Sequence, residues 1–171
     1  MTDDHRLLVI MRHGRAEQLA DADEHRSLTD RGRAAAAEAG RWLASRGIAP
    51  DQVFVSSADR AVATWEAVAT GLSGSPVVAH DEALYAGGPD AALELLRTAP
   101  PESRCVLMVG HNPTAGLLAH QLDDGSPDPE AFREMSSGFP AAAVAVLDVR
   151  VPWADLDVAT GRITAFHVGR G

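Results

Sequence analysis

Short apolar runs alternate with segments of helical periodicity along most of the chain. Residues 7–11 are five consecutive apolar residues, and mostly apolar stretches follow at 52–55, 76–78 and 105–109. Runs without regular polar alternation are typical of strands that are buried on both faces of a sheet covered by helices. The pattern therefore predicts an α/β domain with a largely parallel sheet.

Helix start signals stand between these predicted strands. Thr29 is a candidate N-cap for the first helix, and a second helix is predicted from about residue 60 to residue 72. Pro89 suits the first position of a third helix, while Asn112 is predicted to cap, and Pro113 to begin, a fourth. Apolar residues at helical spacing would cover the sheet, among them Ala35, Ala39, Trp42, Leu43, Ala61, Trp65, Val68, Leu93, Leu96, Leu117, Leu118 and Leu122.

The remaining segments predict two more strands and two loops. Residues 141–149 and 162–168 read as strands that complete the sheet, with an antiparallel member left open as an alternative. Residues 17–26 and 123–134 are acidic and lack apolar periodicity, so we expect surface loops there. No repeat or linker divides the chain, which predicts one domain over residues 1–171.

Composition and charge argue against nucleic acid and membrane partners and against secretion. The 171 residues carry a net charge of −9, which argues against duplex nucleic acid or an anionic membrane as the main partner. No apolar run approaches ~20 residues, and Asp3 and Asp4 precede the first one, so we expect neither a membrane span nor a signal peptide. Cys105 is the single cysteine and lies in an apolar run, which fits an inert core residue and a reducing cytoplasm.

Four residues with phosphate chemistry follow three of the predicted strands. Arg12 and His13 come directly after the first strand, Arg60 lies just past the second, and His111 follows the fourth. Taken singly, each could be an ordinary polar loop or helix residue. Because the carboxyl ends of parallel strands share one edge, we expect all of them to meet there.

This residue set suits phosphoryl transfer. A neutral imidazole such as His13 can attack phosphorus, and guanidinium groups such as Arg12 and Arg60 bind phosphate oxygens with two donors each. His111 is predicted to donate to the phosphoryl oxygens as an imidazolium. No carboxylate cluster or Cys/His spacing indicates a metal site, so we expect no metal and no other cofactor.

Three motifs together resemble those of the histidine phosphatase superfamily, and within it the bacterial phosphohistidine phosphatases of the SixA type. The motifs span residues 8–14, 56–64 and 109–113, and the similarity extends over nearly the whole chain. The resemblance implies a three-layer α/β/α sandwich with a mostly parallel central sheet. It also implies that His13 is phosphorylated, within a phosphate pocket of Arg12, Arg60 and His111.

The chain departs from the superfamily at the place of a general acid. Many members have a Leu-x-Glu pattern after the third strand, but here Ala86 stands in place of the acid. Asp81 or Glu82 could substitute, or could be solvated turn residues. General-acid assistance is worth ~10²–10⁴ in rate for a poor leaving group, so its loss favours a phosphohistidine substrate over sugar or alcohol monoesters.

The sequence thus predicts a monomeric cytoplasmic phosphatase that acts on phosphohistidine in a phosphorylated protein. A phosphatase for small phosphorylated metabolites and a noncatalytic phosphate-binding module stay open as alternatives. Glu17 follows the first motif and either orients a pocket residue or is solvated. The histidines outside the motifs are expected on the surface or in the core: His5, His25, His80, His120 and His167.

Overall fold

The computed structural model describes residues 5–171, and its centre is a six-stranded sheet in the order β3-β2-β4-β1-β5-β6. Only β5 runs against its neighbours: it pairs antiparallel with both β1 and β6, while the other pairings are parallel. Asp3 and Asp4 lie outside the described residues. The strands are Arg6–Arg12 (β1), Gln52–Ser56 (β2), Val77–Asp81 (β3), Cys105–Gly110 (β4), Ala143–Val149 (β5) and Gly161–Val168 (β6).

Helices cover both faces of this sheet. They are Asp30–Ser45 (α1), Asp59–Ala69 (α2), Ala83–Ala86 (α3), Pro89–Leu96 (α4), Thr114–Leu122 (α5) and Pro129–Ser136 (α6). Val9 and Met11 of β1 are fully buried in one core cluster, and the alternate residues Leu8 and Ile10 are fully buried in the other. The first cluster includes residues of α1 and α2, and the second includes residues of α4, α5 and α6. The predicted three-layer α/β/α sandwich is confirmed.

Two of the predicted helix starts are present as expected. Thr29 is the N-cap of α1, where its hydroxyl accepts a hydrogen bond from Gly32 N at 2.9 Å. Pro89 is the first residue of α4, where its lack of an N–H costs nothing. Buried cysteine was also expected, and Cys105 lies in β4, where burial raises the pKa of its thiol to about 12.

Two predictions about local structure are wrong. Asn112 is not the N-cap residue of α5 and Pro113 is not its first residue: the helix begins at Thr114 with Pro113 at the N-cap. The Asn112 side chain still contacts the first turn, because its Oδ1 accepts from Gly116 N at 3.4 Å, while its Nδ2 donates to Phe139 O at 2.7 Å. The segment 123–134 is not loop throughout, because α6 occupies its second half and continues to Ser136. Asp128 caps α6 by accepting from Ala131 N at 2.9 Å, and the helix buries Ala131 and Met135.

The sheet brings the ends of β1, β2 and β4 to one edge. Arg12 is the last residue of β1 and pairs with Gly110, the last residue of β4. His13 continues this alignment, because its N–H donates to Gly110 O at 3.0 Å. The backbone alone therefore places the ends of the first and fourth strands side by side.

The helices are too short or too polar for a membrane span. Over residues 5–171, none combines the length and the hydrophobicity that crossing a bilayer requires.

Candidate active site

His13, Arg60 and His111 meet at the carboxyl edge of the sheet. The two imidazole centroids are 5.0 Å apart, with their planes at 58°. Arg60 lies between them: its Nε donates to His13 Nε2 and its Nη2 to His111 Nδ1, each at 3.4 Å. As predicted, these residues come from the ends of three strands and lie next to one another.

Arg12 supplies a second guanidinium at this edge. It lies close enough for its charge to lower the pKa values of both His13 and His111. Its Nη1 donates to Phe139 O at 3.1 Å, and that carbonyl also accepts from Asn112. Burial lowers the pKa of Arg12, but a guanidinium stays protonated in proteins. The pocket therefore has two fixed positive charges.

The hydrogen bonds of His13 leave one ring nitrogen facing the pocket. Nδ1 is 2.7 Å from Gly14 O, and because a carbonyl only accepts, Nδ1 carries the proton. Nε2 then has a free lone pair, which accepts from Arg60. His13 is 9% exposed, and the ring is held at the end of β1.

Both pocket histidines are neutral at pH 7. Burial, and secondarily the Arg60 and Arg12 charges, lower the pKa of His13 to about 4. Burial and the neighbouring His13 and Arg60 lower the pKa of His111 to about 3. The predicted imidazolium at His111 concerns the site with a phosphoryl group bound and stays a prediction; without that anion, burial beside two guanidiniums favours the neutral ring.

Ser56 orients His111. Its hydroxyl Oγ is 2.7 Å from His111 Nε2, and Ser56 is fully buried at the end of β2. Since Arg60 donates to Nδ1, the hydrogen of His111 is on Nε2 and is donated to Ser56 Oγ. His111 thus presents its Nδ1 to the pocket, next to the Nε2 of His13.

Thr64 connects the loop that follows His13 to α2. Its hydroxyl accepts from Gly14 N at 2.9 Å and donates to Arg60 O at 2.6 Å. Gly14 also packs against the first turn of α1, where an added Cβ would lie 2.7 Å from Gly32 O. Glycine is needed at this close approach because a side chain would push the loop away from α1.

The structure adds Asp23 and Tyr85, which sequence reasoning missed. Asp23 begins a short 3-10 turn in the loop 17–26, and its carboxylate Oδ2 accepts from Arg60 Nη2 at 3.0 Å and from the Tyr85 hydroxyl at 2.9 Å. The Tyr85 ring lies edge-on to His111, with centroids 5.6 Å apart. Neither residue stands in a spacing that indicates a site, although Asp23 belongs to an acidic segment close to the first motif.

The other candidate carboxylates take no part in the pocket. Asp81 accepts a hydrogen bond from Ala83 N at 2.8 Å at the start of α3, and Glu82 is exposed. Glu17 contributes its backbone carbonyl, which accepts from Arg26 Nε at 2.7 Å, while Arg26 in turn donates to Asp23 Oδ1 at 3.1 Å. Ala86 is exposed after Tyr85 in α3, so no carboxyl group stands at that place.

The histidines outside the motifs lie elsewhere. His167 stacks on Trp42 with centroids 4.7 Å apart and contacts Glu38, and His5 contacts Asp148. Across the part of the chain that the structure describes, no three His, Cys, Asp or Glu side chains are grouped as metal ligands.

The pocket is suited to one phosphoryl group. Two guanidiniums can neutralise its oxygens, and a neutral imidazole nitrogen faces the same space. A groove of about 540 Å³ adjoins the pocket at Arg12 and Asn112 and is lined further out by Phe139, Pro140 and Phe166. The site thus opens onto a surface that can take a group much larger than phosphate.

Comparison with known proteins finds the same architecture and related sequences. The model of the histidine phosphatase superfamily (branch 1) matches residues 8–84. The uncharacterized protein Rv1276c of Mycobacterium tuberculosis is 35% identical over 150 residues, which are 87% of this chain and 92% of that protein.

Two solved structures are similar over almost the full chain. One, assigned as the phosphohistidine phosphatase SixA of Nakamurella multipartitia, is 34% identical with a TM-score of 0.86, and the match covers 96% of each chain. Another, assigned as SixA of Agrobacterium tumefaciens, is 26% identical with a TM-score of 0.77, and the match covers 95% of this chain and 97% of that one.

Proposed function

Because the chain belongs to the histidine phosphatase superfamily and is a SixA-like hydrolase, we propose that it hydrolyses phosphohistidine in a phosphorylated protein. In this proposal His13 is the nucleophile, and Arg12, Arg60 and His111 hold the phosphoryl group. A bound phosphoryl dianion raises the pKa of His111, so that its Nδ1 takes up a proton and donates to a phosphoryl oxygen. The substrate is the part of the proposal that goes beyond family membership.

The proposal depends mainly on one observation: His13 Nε2 carries no proton and faces the pocket. Its lone pair faces a pocket with two guanidiniums, while Nδ1 is fixed on Gly14 O at 2.7 Å. With a pKa of about 4, the ring needs no deprotonation before it attacks at pH 7. Binding a phosphoryl group between Arg12 and Arg60 would bring phosphorus to this nitrogen and neutralise its oxygens.

The reaction then has two displacements. In the first, His13 Nε2 bonds to phosphorus, and the bond from phosphorus to the substrate imidazole breaks. The departing nitrogen keeps that electron pair and takes a proton from solvent at the open side of the pocket. In the second, a water oxygen bonds to phosphorus, the electron pair of the P–N bond returns to His13, and a proton of the water goes to solvent. The sum is phosphohistidine plus water giving histidine plus phosphate.

The carboxylate of Asp23, which lies next to Arg60, is ionised at pH 7, and this favours a substrate with an imidazole leaving group. Asp23 is the carboxylate in contact with Arg60, and its hydrogen bonds from Arg26, Tyr85 and Arg60 lower its pKa to about 2, so it is not a proton donor at pH 7. An alkoxide would leave slowly without such a donor. An imidazole of phosphohistidine leaves as a neutral molecule once it is protonated and depends less on the enzyme for this.

A panel of substrates tests the proposal. The rate constant kcat/KM is measured for a phosphohistidine protein, for alkyl and sugar monoesters, and for a small acid phosphate, each with the wild type and with His13→Gln as the matched control. We expect phosphohistidine to exceed the alkyl monoesters by about 10²-fold or more, the range that general-acid assistance covers. Sugar monoesters hydrolysed as fast as phosphohistidine would refute the substrate assignment in favour of a metabolite phosphatase. Phosphate binding without turnover of any substrate would indicate a noncatalytic binding module.

The proposal includes a metal-free mechanism, a monomeric state and a cytoplasmic location. The charges of Arg12 and Arg60 support the first, because they supply what a divalent cation would bring to the phosphoryl oxygens. Solution scattering at several protein concentrations tests the second, and a concentration-independent dimer would contradict it.

A further inference from the structure

The guanidinium of Arg60 has two edges with different partners. Along one edge, Nε faces His13 and Nη2 faces His111, each at 3.4 Å. At the outer end, Nη1 donates to Asp23 O at 2.8 Å and the second hydrogen of Nη2 serves Asp23 Oδ2 at 3.0 Å. The inner edge, Nε and Nη2, can therefore donate to two phosphoryl oxygens while the outer end stays hydrogen-bonded to Asp23.

Asp23 is the only described residue that holds this outer end, through its backbone carbonyl and its carboxylate. A long arginine side chain has many rotamers, and its planar fork is useful only in one orientation. Without the Asp23 carboxylate, Arg60 would keep its charge and its bond to Asp23 O, but Nη2 would lose the contact that helps to turn the inner edge towards the imidazoles.

The carboxylate of Asp23 is itself held from two sides. The Tyr85 hydroxyl donates to Oδ2 at 2.9 Å, and Arg26 Nη1 donates to Oδ1 at 3.1 Å. The Tyr85 ring also lies 6.0 Å from the Arg60 guanidinium carbon. The hydrogen bond between Asp23 and Tyr85 joins the loop 17–26 to α3, next to His111.

We propose that Asp23 is a positioning residue that acts through Arg60, and that Tyr85 fixes the Asp23 carboxylate for this task. The inference rests on the proposed function, since it assigns a role towards the same phosphoryl site. It does not depend on which leaving group the substrate carries, because Arg60 would meet only the phosphoryl oxygens.

A double-mutant cycle separates positioning from a general structural role. Asp23→Ala is made in the wild type and in Arg60→Ala, and both kcat/KM for p-nitrophenyl phosphate and the affinity for inorganic phosphate are measured. In the wild-type background we expect kcat/KM and phosphate affinity to fall about 10- to 30-fold, the value of a charge-assisted hydrogen bond at a half-exposed carboxylate. In the Arg60→Ala background we expect less than a twofold further loss, because the group that Asp23 positions is gone.

Two further variants complete the experiment. Tyr85→Phe keeps the ring and removes the hydroxyl, and we expect a smaller loss of about threefold in the wild-type background. Asp21→Asn changes an exposed carboxylate two residues away that contacts His25, and we expect it to match the wild type. Equal losses from Asp23→Ala in both backgrounds, or no loss in the wild type, would overturn the inference. Failure of phosphohistidine turnover alone would refute the proposed substrate and leave this result intact, since p-nitrophenyl phosphate and inorganic phosphate report on the pocket directly.

Discussion

Lowering the pH from 7 to 4.5 should destabilise the folded protein through the buried imidazole of His13, as well as through that of His111. The pKa of the His13 ring is about 4 in the folded protein, against an ordinary value of 6.5 in the unfolded chain. Between those two values the unfolded chain binds more protons than the folded protein does. Stability from this group is therefore unaffected above pH 6.5 and falls as the pH falls through the window to about 4.

The size of the effect follows from the two pKa values. Their difference corresponds to roughly 3 kcal/mol when the whole window has been crossed, and most of it, about 2–3 kcal/mol, is lost by pH 4.5. Inorganic phosphate should reduce this loss, because an anion beside the ring stabilises the imidazolium and raises its pKa.

Urea unfolding of His111→Gln and of the double variant His13→Gln/His111→Gln at pH 7 and pH 4.5 measures the effect. His111 is replaced in both proteins because its own pKa depends on the neighbouring His13. Carboxylates titrate in both proteins, so the change in the difference between their free energies of unfolding reports on His13. We expect His111→Gln to lose about 2–3 kcal/mol more than the double variant over this interval. Equal losses in the two proteins would refute the reasoning, because they would mean that His13 is not a desolvated neutral imidazole.

Three further predictions concern the pocket and its support. Arg12→Lys and Arg60→Lys should each lower kcat by about 10²–10³-fold, because a point charge cannot replace a two-donor fork, and near-normal turnover would remove that arginine from the proposed pocket. Gly32→Ala should destabilise the protein by about 1–3 kcal/mol in chemical unfolding, because its Cβ would lie 2.2 Å from Arg15 O, whereas the matched control Gly88→Ala, where an added Cβ meets nothing within 4 Å and φ is negative, should stay close to the wild type. Chelation with EDTA should leave kcat unchanged, and activity that is lost in EDTA and restored by one divalent ion would contradict the metal-free mechanism.

The elements that could be predicted are those whose signal is local. Five apolar residues in a row indicated β1 because a strand buried on both faces has no polar alternation, and a side-chain acceptor at Thr29 indicated the start of α1. The convergence of Arg12, His13, Arg60 and His111 could also be predicted, because parallel strands deliver their carboxyl ends to one edge. The resemblance to a known family supplied the roles.

The features that could not be predicted depend on tertiary contacts or on weaker signals. Asp23 meets Arg60 across 37 positions of sequence, and its loop has no periodicity that would single it out. Asn112 precedes the N-cap residue by one position: its Oδ1 accepts from Gly116 N in the first turn, and its Nδ2 donates to Phe139 O, a contact across 27 positions of sequence. Asp128 and Pro129 are a cap followed by a proline, which is a helix-start signal, but it stands in an acidic segment and α6 buries only two residues, so the apolar pattern that indicates a helix is weak there.

Capture of the phosphorylated enzyme tests the central claim most directly. The wild type, His13→Ala and His111→Ala are mixed with a ³²P-labelled phosphohistidine protein, quenched rapidly in alkali and mapped by peptide. We predict label on His13 in the wild type, weaker label on His13 in His111→Ala, and neither label nor turnover in His13→Ala. Label on His111, or turnover that survives in His13→Ala, would contradict the assignment of His13 as the nucleophile.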